Sequence, residues 1–471
     1  MTSETGIEPG RPSSGASRAP DAGGRGRPRP RLLFLVTEDW YFLSHRLPMA
    51  RAAREAGFEV HVAARVRDGR ARIEAEGFVL HALPWRRADF GIGLPSAVAA
   101  VRSLYARLDP DLIHHVALKP ALLGSIAALG LGPRPIVNGI AGLGFLYSSE
   151  RLPARSLRRP FGAVLARLMN RPLSCALVQN PDDRAALIRI GVHPDRIELI
   201  PGSGVDTEAL TPLPEPEGPF TMALVARMLE AKGVREAVEA QRLLRARGLD
   251  VNLLLAGAPD PENPGTIHES ELEGWRNIPG LRWLGHVADI RAVWAAAHVA
   301  VLPSTYGEGL PKSLLEAAAC GRPIVATDLP GCREIARADV NAIRVPPRDP
   351  EALARAVETL MGQPELRRRF GAASRRLAVE EFSAARIGAE TAALYGRMLD
   401  AAAGAFSGEK TRLVGTTPPR GSASERLASL CVARPGEPLG SVAIGTESQR
   451  DQVATGLRPC SPARKRGNQE L

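Results

Sequence analysis

From residue 31 to residue 402, short apolar runs alternate with stretches of helical periodicity, and few folds accommodate that pattern. Strands joined through helices run parallel, because the crossover returns the chain to the same end of the sheet. Helices on both faces then bury the strands, which read as nearly unbroken apolar runs. Arg31–Val36 is such a run, and Phe58–Ala64, Asp111–Val116, Arg134–Asn138, Leu173–Gln179 and Ile197–Pro201 continue the series. Helices are expected near Ser44–Ala56, Pro95–Leu108, Lys119–Leu129, Ser156–Met169 and Pro181–Ile190. Residues 202–219 are rich in Gly, Pro, Glu and Thr, lack periodicity and read as a linker.

A second series follows. Its strands are expected at Phe220–Ala226, Val251–Ala256, Leu281–Leu284, Val299–Leu302 and Pro323–Thr327. Its helices are expected at Gly233–Arg247, Ile290–Ala297, Lys312–Cys320 and Pro350–Met361, with a long one over Ser383–Ala402. The expected architecture is α/β, with two doubly wound, Rossmann-like parallel-sheet domains, 31–201 and 220–382, facing a cleft. A helix at 383–403 is available to pack back on the first domain. Such sheets place ligands outside the carboxyl ends of their strands.

Composition narrows the function. With 44% hydrophobic and 24% charged residues, the 471-residue chain has the proportions of a globular protein. The ends differ: residues 1–30 and 404–471 are built from Gly, Pro, Ser, Ala and Arg and read as disordered tails, the second basic. Five arginines face three acids in the first tail, and ten Lys/Arg face six acids in the second. Of the net +10, the body therefore keeps only +4, which suits phosphate-bearing ligands or an anionic membrane surface. At 4% aromatic residues there is little for nucleic-acid bases to stack on, and no nucleic-acid partner is expected. Stretches such as Ala292–Gly307 and Pro120–Pro133 fall short of the roughly 18 apolar residues of a membrane span. Residues 1–30 lack a signal-peptide core, and the five cysteines are odd in number with no C-x-x-C. A reducing, cytoplasmic setting is expected, with peripheral contact at the inner face of the cytoplasmic membrane as an option.

Two segments carry chemistry. In Glu308-Gly309-Leu310-Pro311-Lys312-Ser313-Leu314-Leu315-Glu316, a strand gives way to a loop and then to a helix for which Pro311 suits the first position. The helix entrance attracts an anion, and two carboxylates eight residues apart can accept hydrogen bonds from sugar hydroxyls at two points of one ligand. The same spacing also suits a capped surface helix with an exposed glutamate. In Ala226-Arg227-Met228-Leu229-Glu230-Ala231-Lys232-Gly233, Arg227 follows a strand and Lys232 stands at a helix entrance. Two cations so placed can neutralise a diphosphate leaving group without a metal, and they also suit a solvated surface pair.

Together these segments resemble the retaining GT-B glycosyltransferases of family 4, which use nucleotide-sugar donors. The resemblance spans roughly Arg31–Leu399 and is supported by Pro201-Gly202-Ser203-Gly204-Val205-Asp206 and by Gly321-Arg322-Pro323-Ile324-Val325-Ala326-Thr327. It implies a donor site of Arg227, Lys232, Glu308, Gly309, Leu310 and Glu316. In that site Arg227 and Lys232 take the diphosphate, Glu316 the ribose and Glu308 the donor sugar, with Glu308, Arg227 and Lys232 in catalytic roles. Neither a metal nor another cofactor is implied. In the first half, Phe42-Leu43-Ser44-His45-Arg46-Leu47-Pro48, His114-His115 with Lys119-Pro120, Gly142-Leu143-Gly144-Phe145 and Val178-Gln179-Asn180 resemble the branch that builds capsule, O-antigen and lipid-linked glycans. That branch implies an undecaprenyl-diphosphate-linked acceptor. Trp40-Tyr41-Phe42 replaces the family's Gly-Gly loop, and Ala141 stands about where a histidine is usual. His45 is the substitute catalytic candidate, with a capping or core role as its alternative.

Other features are weaker. Asp109-Pro110-Asp111 has the D-x-D text of metal sites but precedes a strand, where a turn is expected. Gly139, Gly142 and Gly144 do not form G-x-G-x-x-G, and His114 and His115 point to opposite faces of a strand. Over Arg151–Pro172, Leu157, Phe161, Leu165 and Leu168 share a helical face, accompanied by Arg155, Arg158, Arg159, Arg167 and Arg171. That face either packs on the sheet or lies on an anionic leaflet. Two rival functions share these features: a UDP-N-acetylglucosamine 2-epimerase of the same architecture, and a non-catalytic protein that binds phospholipids or other polyanions.

Overall fold

The computed structural model describes residues 29–85, 93–142 and 152–411. Each series of apolar runs closes into its own all-parallel sheet. The first has the order β3-β2-β1-β4-β5-β6-β7. Its strands are β1 (Arg31–Glu38), β2 (Glu59–Arg65), β3 (Val79–Ala82), β4 (Leu112–Val116), β5 (Ile136–Ile140), β6 (Ser174–Val178) and β7 (Ile197–Leu199). The second has the order β10-β9-β8-β11-β12-β13. It comprises β8 (Phe220–Val225), β9 (Val251–Ala256), β10 (Leu281–Trp283), β11 (Val299–Leu302), β12 (Ile324–Thr327) and β13 (Ala342–Val345). In both, the chain winds outward from the first strand, returns, and winds the other way. The crevices above β1/β4 and β8/β11 are therefore the switch points at which such sheets bind ligands.

The central strands are buried on both faces, as their apolar runs require: Leu32 to Val36 are fully buried, and so are Leu253 and Leu255. β1 lies between β2 and β4, with Phe34 opposite Val62 on one side and His114 on the other. Successive residues face opposite layers, so His114 and His115 part company. His114 stacks on Phe34 and its Nδ1 lies 2.5 Å from the Tyr395 hydroxyl, whereas His115 faces Tyr105. Both are core histidines.

Several boundaries differ from the sequence expectation. Ser44–Ala56 is two helices, Asp39–His45 and Leu47–Glu55, broken at Arg46. Pro48 cannot donate to a preceding turn, so a new helix starts around it. His45 consequently ends the first helix instead of starting it. Strands β3 and β13, and the helices Arg70–Ala75 and Pro364–Glu380, lie in segments that carried no expectation. β3 shows an exposed-to-intermediate pattern without a buried residue, so it has no apolar run to read. At Asp109-Pro110-Asp111, Asp109 has a left-handed φ of 45° and caps a helix, while Asp111 accepts the Arg31 amide at 2.8 Å. It is a turn.

The segment 202–219 is tied to the second domain: Leu213 donates its amide to Cys320, and the Arg375 guanidinium donates to the carbonyls of Leu210 and Thr207. The helix Ala384–Thr411 crosses back to pack on Leu47–Glu55, contributing Ile387, Leu394 and Tyr395 to the first domain's core. Gly388 permits this approach, since a Cβ there would sit 2.8 Å from that of Ala52. In the helix Leu152–Met169, Leu165 and Leu168 are buried and Phe161 packs on the same cluster, while Arg159 and Arg167 are exposed. The described part of the apolar face thus covers the sheet. The side chains of Arg155, Leu157 and Arg158 lie outside the described residues, as do residues 1–28, 412–471 and 143–145, whereas 404–411, expected as the start of a tail, continue the helix Ala384–Thr411. Among the described residues no helix is long and apolar enough to cross a membrane.

Candidate functional site

β8 and β11 are neighbours at the second switch point, and the two motif segments leave from their carboxyl ends. The segment Arg227–Lys232 follows β8 and Glu308 follows β11, so Lys232 and Glu308, 76 positions apart, meet because the strands pair. The loops are stitched together where Thr305 donates its amide to Ala231 at 3.0 Å. Lys232 forms an ion pair with Glu308, whose other oxygen accepts the Ser304 hydroxyl. The next residue, Gly233, has φ 71°, and a Cβ there would meet the Pro303 carbonyl oxygen at 1.9 Å. Only glycine fits that position, and it fixes where Lys232 stands.

Three cations of the second domain each hold a carboxylate. Arg227 donates to Asp260 Oδ2 at 2.5 Å, Lys232 pairs with Glu308, and Lys312 lies 3.3 Å from Glu316 Oε1. Lys312 begins the helix Lys312–Ala319, and Glu316 follows one turn later on the same face. Burial pushes the Glu316 carboxyl up from its ordinary range, and the Lys312 charge opposes that rise. Pro311 is the residue capping this helix, with an extended ψ of 115°, one place before the first helical position expected for it. Its neighbours are held from the other domain: Leu310 donates its amide to Gln179 Oε1 at 3.0 Å, and Asn180 Nδ2 lies 3.4 Å from the carbonyls of Glu308 and Gly309. An approach from across the cleft thus sets the loop's course.

The first domain supplies the opposite wall. Trp40 lies on the helix Asp39–His45, and the Arg227 guanidinium sits 5.7 Å from its ring centroid, in cation–π range. His45, partly buried, stacks on Tyr41 at 4.3 Å with its Nδ1 2.6 Å from Ser44 Oγ. Burial, and then the positive charges of Arg46, Lys312, Lys232 and Arg227, hold its imidazole well below the ordinary range. Burial thus keeps His45 neutral, and the second domain's cations act in the same direction. Glu38, at the end of β1, lies 3.5 Å from Arg65 and 3.4 Å from Arg67, and both arginines also pair with Glu262 of the second domain.

The structure therefore gathers Arg227, Lys232, Glu308, Gly309, Leu310, Glu316 and His45 about one cleft. Asp260, Ser304, Lys312, Trp40 and the Gln179-Asn180 pair join them without having been assigned a role from sequence. Lys312 and Ser304 lie four residues before Glu316 and Glu308, and Trp40 and Gln179-Asn180 stand in segments singled out from the sequence. Their contacts with Arg227 and the 308–310 loop, and that of Asp260 with Arg227, are made by strand pairing and domain contact. Among the described residues, no group of three or more His, Cys, Asp or Glu side chains is placed to hold a metal ion.

Residues 31–169 match the family described as glycosyl transferase 4-like, and residues 219–363 match glycosyl transferases group 1. The putative glycosyltransferase EpsD of Bacillus subtilis (strain 168) is 27% identical over 387 residues, 79% of this chain and 97% of that protein. The capsular polysaccharide biosynthesis glycosyltransferase CapM of Staphylococcus aureus is 23% identical over 376 residues, 76% of this chain and 96% of that one. The crystal structure of Anabaena Alr3699/HepE in complex with UDP-glucose has the same fold, with a TM-score of 0.63 and 19% identity over 77% of this chain and 98% of that one.

Proposed function

Because this chain belongs to the group 1 GT-B glycosyltransferases, with residues 219–363 matching group 1 and residues 31–169 the glycosyl transferase 4-like family, we propose that it moves a hexose from a UDP-sugar to a polyprenyl-diphosphate-linked glycan, with retention of configuration. It is a glycosyltransferase of polysaccharide biosynthesis. Family membership favours a transferase over the epimerase and the non-catalytic binder. The observation that carries the donor reading is the set of ion pairs above β8 and β11, Arg227 with Asp260, Lys232 with Glu308 and Lys312 with Glu316. The likeness to a protein solved with UDP-glucose supports the nucleotide.

In this reading the carboxylates hold the cations in place until the donor arrives. A diphosphate carries more charge than any one carboxylate, so Arg227 and Lys232 exchange Asp260 and Glu308 for phosphate oxygens. The exchange stabilises the charge that develops on the leaving group, and it frees Glu308 to accept a bond from the donor sugar. Glu316 bonds the ribose hydroxyls. The Ser44 hydroxyl donates to the Tyr41 carbonyl, so neutral His45 donates from Nδ1 to Ser44 Oγ and keeps Nε2 to accept a hydrogen bond from a sugar hydroxyl. Since the side-chain cations neutralise the diphosphate, activity should survive EDTA. The acceptor lipid and the exposed Arg159 and Arg167 lead to an expectation of salt-sensitive flotation with anionic vesicles.

A panel of UDP- and GDP-sugars, read by thermal shift and then by product formation with anomeric NMR, tests the proposal. Lys232→Ala should leave a folded protein with donor use strongly weakened; unchanged kinetics in that folded variant would refute the assignment.

A further inference from the structure

Crossover helices end where the next strand begins, so the end of the first sheet away from the cleft gathers helix C-termini and loops. There, beside the first residues of β5 and β6, lies a cavity of about 140 Å³. Ser125, Arg134, Leu168, Arg171, Pro172 and Ser174 line it. A dry cavity of about 150 Å³ admits benzene, so this one has room for more than a single water.

Two of its lining residues are arginines whose guanidinium groups are incompletely paired. Arg134 Nη2 donates to the Leu131 carbonyl at 2.6 Å and lies 3.7 Å from Asp109 Oδ1, the carboxylate that faces this group. Arg134 Nε and Nη1 are buried without a hydrogen-bond partner, and so is Arg171 Nη1.

Ser174 adds a third donor, through a chain of hydrogen bonds that fixes its direction. The Tyr105 hydroxyl lies 2.9 Å from His115 Nε2, and His115 Nδ1 lies 2.7 Å from Asn138 Oδ1. Burial lowers His115 to about 4, so its ring is neutral and carries one proton. Asn138 Oδ1 can only accept, which puts that proton on Nδ1 and leaves Nε2 to accept from Tyr105. Asn138 Oδ1 also accepts from Ser125 at 3.1 Å, while Asn138 Nδ2 donates to Ser174 Oγ at 3.1 Å. Ser174 therefore receives a bond and retains its own hydrogen for another acceptor.

Two guanidinium groups and a hydroxyl around one cavity call for an acceptor-only, anionic guest. We propose that this cavity binds a phosphate group between Arg134 and Arg171, with the Ser174 hydroxyl donating to it. The guanidinium fork matches phosphate oxygens in geometry as well as in charge. The phosphate has two available sources: a small phosphorylated solute, or a phospholipid headgroup reached along the helix Leu152–Met169, whose exposed Arg159 and Arg167 lie on the way.

The test titrates inorganic phosphate into the full-length protein and follows Tm, with Lys232→Ala as the control for phosphate entering the cleft. Wild type and Lys232→Ala should both be stabilised, Lys232→Ala lacking only the part of the response that comes from the cleft. Arg171→Gln and Arg134→Gln should need at least tenfold more phosphate, and Arg171→Lys should recover part of the response. Circular dichroism without phosphate should show both Gln variants folded, because each removes a buried cation with unpaired donors. If either fails to fold, Ser174→Ala is the substitute and should weaken the phosphate response severalfold. Flotation with phosphatidylcholine vesicles, with and without phosphatidylglycerol, separates the sources. Flotation that depends on Arg171 and is competed by phosphate assigns the headgroup; a phosphate response without it assigns the solute. The proposal is overturned if phosphate stabilisation disappears in Lys232→Ala and survives in Arg171→Gln and Ser174→Ala. It is equally overturned if wild type responds to neither phosphate nor anionic vesicles.

Discussion

Replacing Lys232 by Met isolates the ion pair on which the donor reading rests. The side chains of Lys232 and Glu308 are 19% and 11% exposed, so the pair lies between a surface bridge and a buried one. Surface pairs contribute up to about 1 kcal/mol, whereas removing one partner of a buried pair costs about 3–5 kcal/mol. Met keeps most of the stem's packing, so the loss comes from Glu308, which retains the Ser304 hydroxyl but loses its cation. The expected destabilisation is about 2 kcal/mol, or roughly 4–8 °C in Tm for a unit of 150–250 residues. Urea unfolding followed by circular dichroism measures it. Lys232→Met/Glu308→Gln should recover at least half of the loss, because it removes the stranded charge as well as the lysine. UDP should stabilise wild type and do little for either variant. A single variant within about 0.5 kcal/mol of wild type, or a double variant no better than the single, would refute the reasoning.

Three further outcomes are expected. Burial raises the Glu316 carboxyl in the folded state, so its contribution is fully present below the unfolded value of about 4.3 and is lost as pH rises through the folded one. Glu316→Gln should thus gain on wild type in stability from pH 4 to pH 7 while raising the donor KM; a constant difference across that range contradicts the burial argument. Burial lowers His45, His61, His81, His114, His115 and His298, so the unfolded chain binds more protons below about pH 6.5 and stability should fall as the solution is acidified. His115, lowered to about 4, alone accounts for about 3 kcal/mol between pH 6.5 and 4, and denaturant midpoints that do not change from pH 7 to pH 5 exclude this. Tyr395→Phe leaves the buried His114 Nδ1 without its hydroxyl partner and should cost about 1–3 kcal/mol in urea unfolding, loosening the helix Ala384–Thr411 from the first domain. Proteolysis after residue 383 no faster than in wild type would show that the hydrogen bond does not hold that helix.

What the sequence determined by itself follows from local periodicity. Leu32 to Val36 or Leu253 to Leu255 can be buried on both faces only between helices, so an α/β fold with parallel strands was legible without coordinates. The motif Glu308 to Glu316 was legible too, because its two carboxylates sit on one short stretch, although the helix dictates the geometry of Lys312 and Glu316 alone. Strand β3, without a buried side chain, and β13, four residues long, were not, since their places are set by pairing with β2 and β12. The break at Arg46, which moves His45 to the end of its helix, depended on how the chain turns above β1. Pairing and domain contact also decided that Asp260 meets Arg227, that Trp40 lies over the same guanidinium, and that Gln179 grips the Leu310 amide from across the cleft. Those contacts join residues 33 to 187 positions apart, and no local propensity encodes them. Neighbouring residues set which elements form, whereas burial and hydrogen bonding between distant segments set which charges share a cleft.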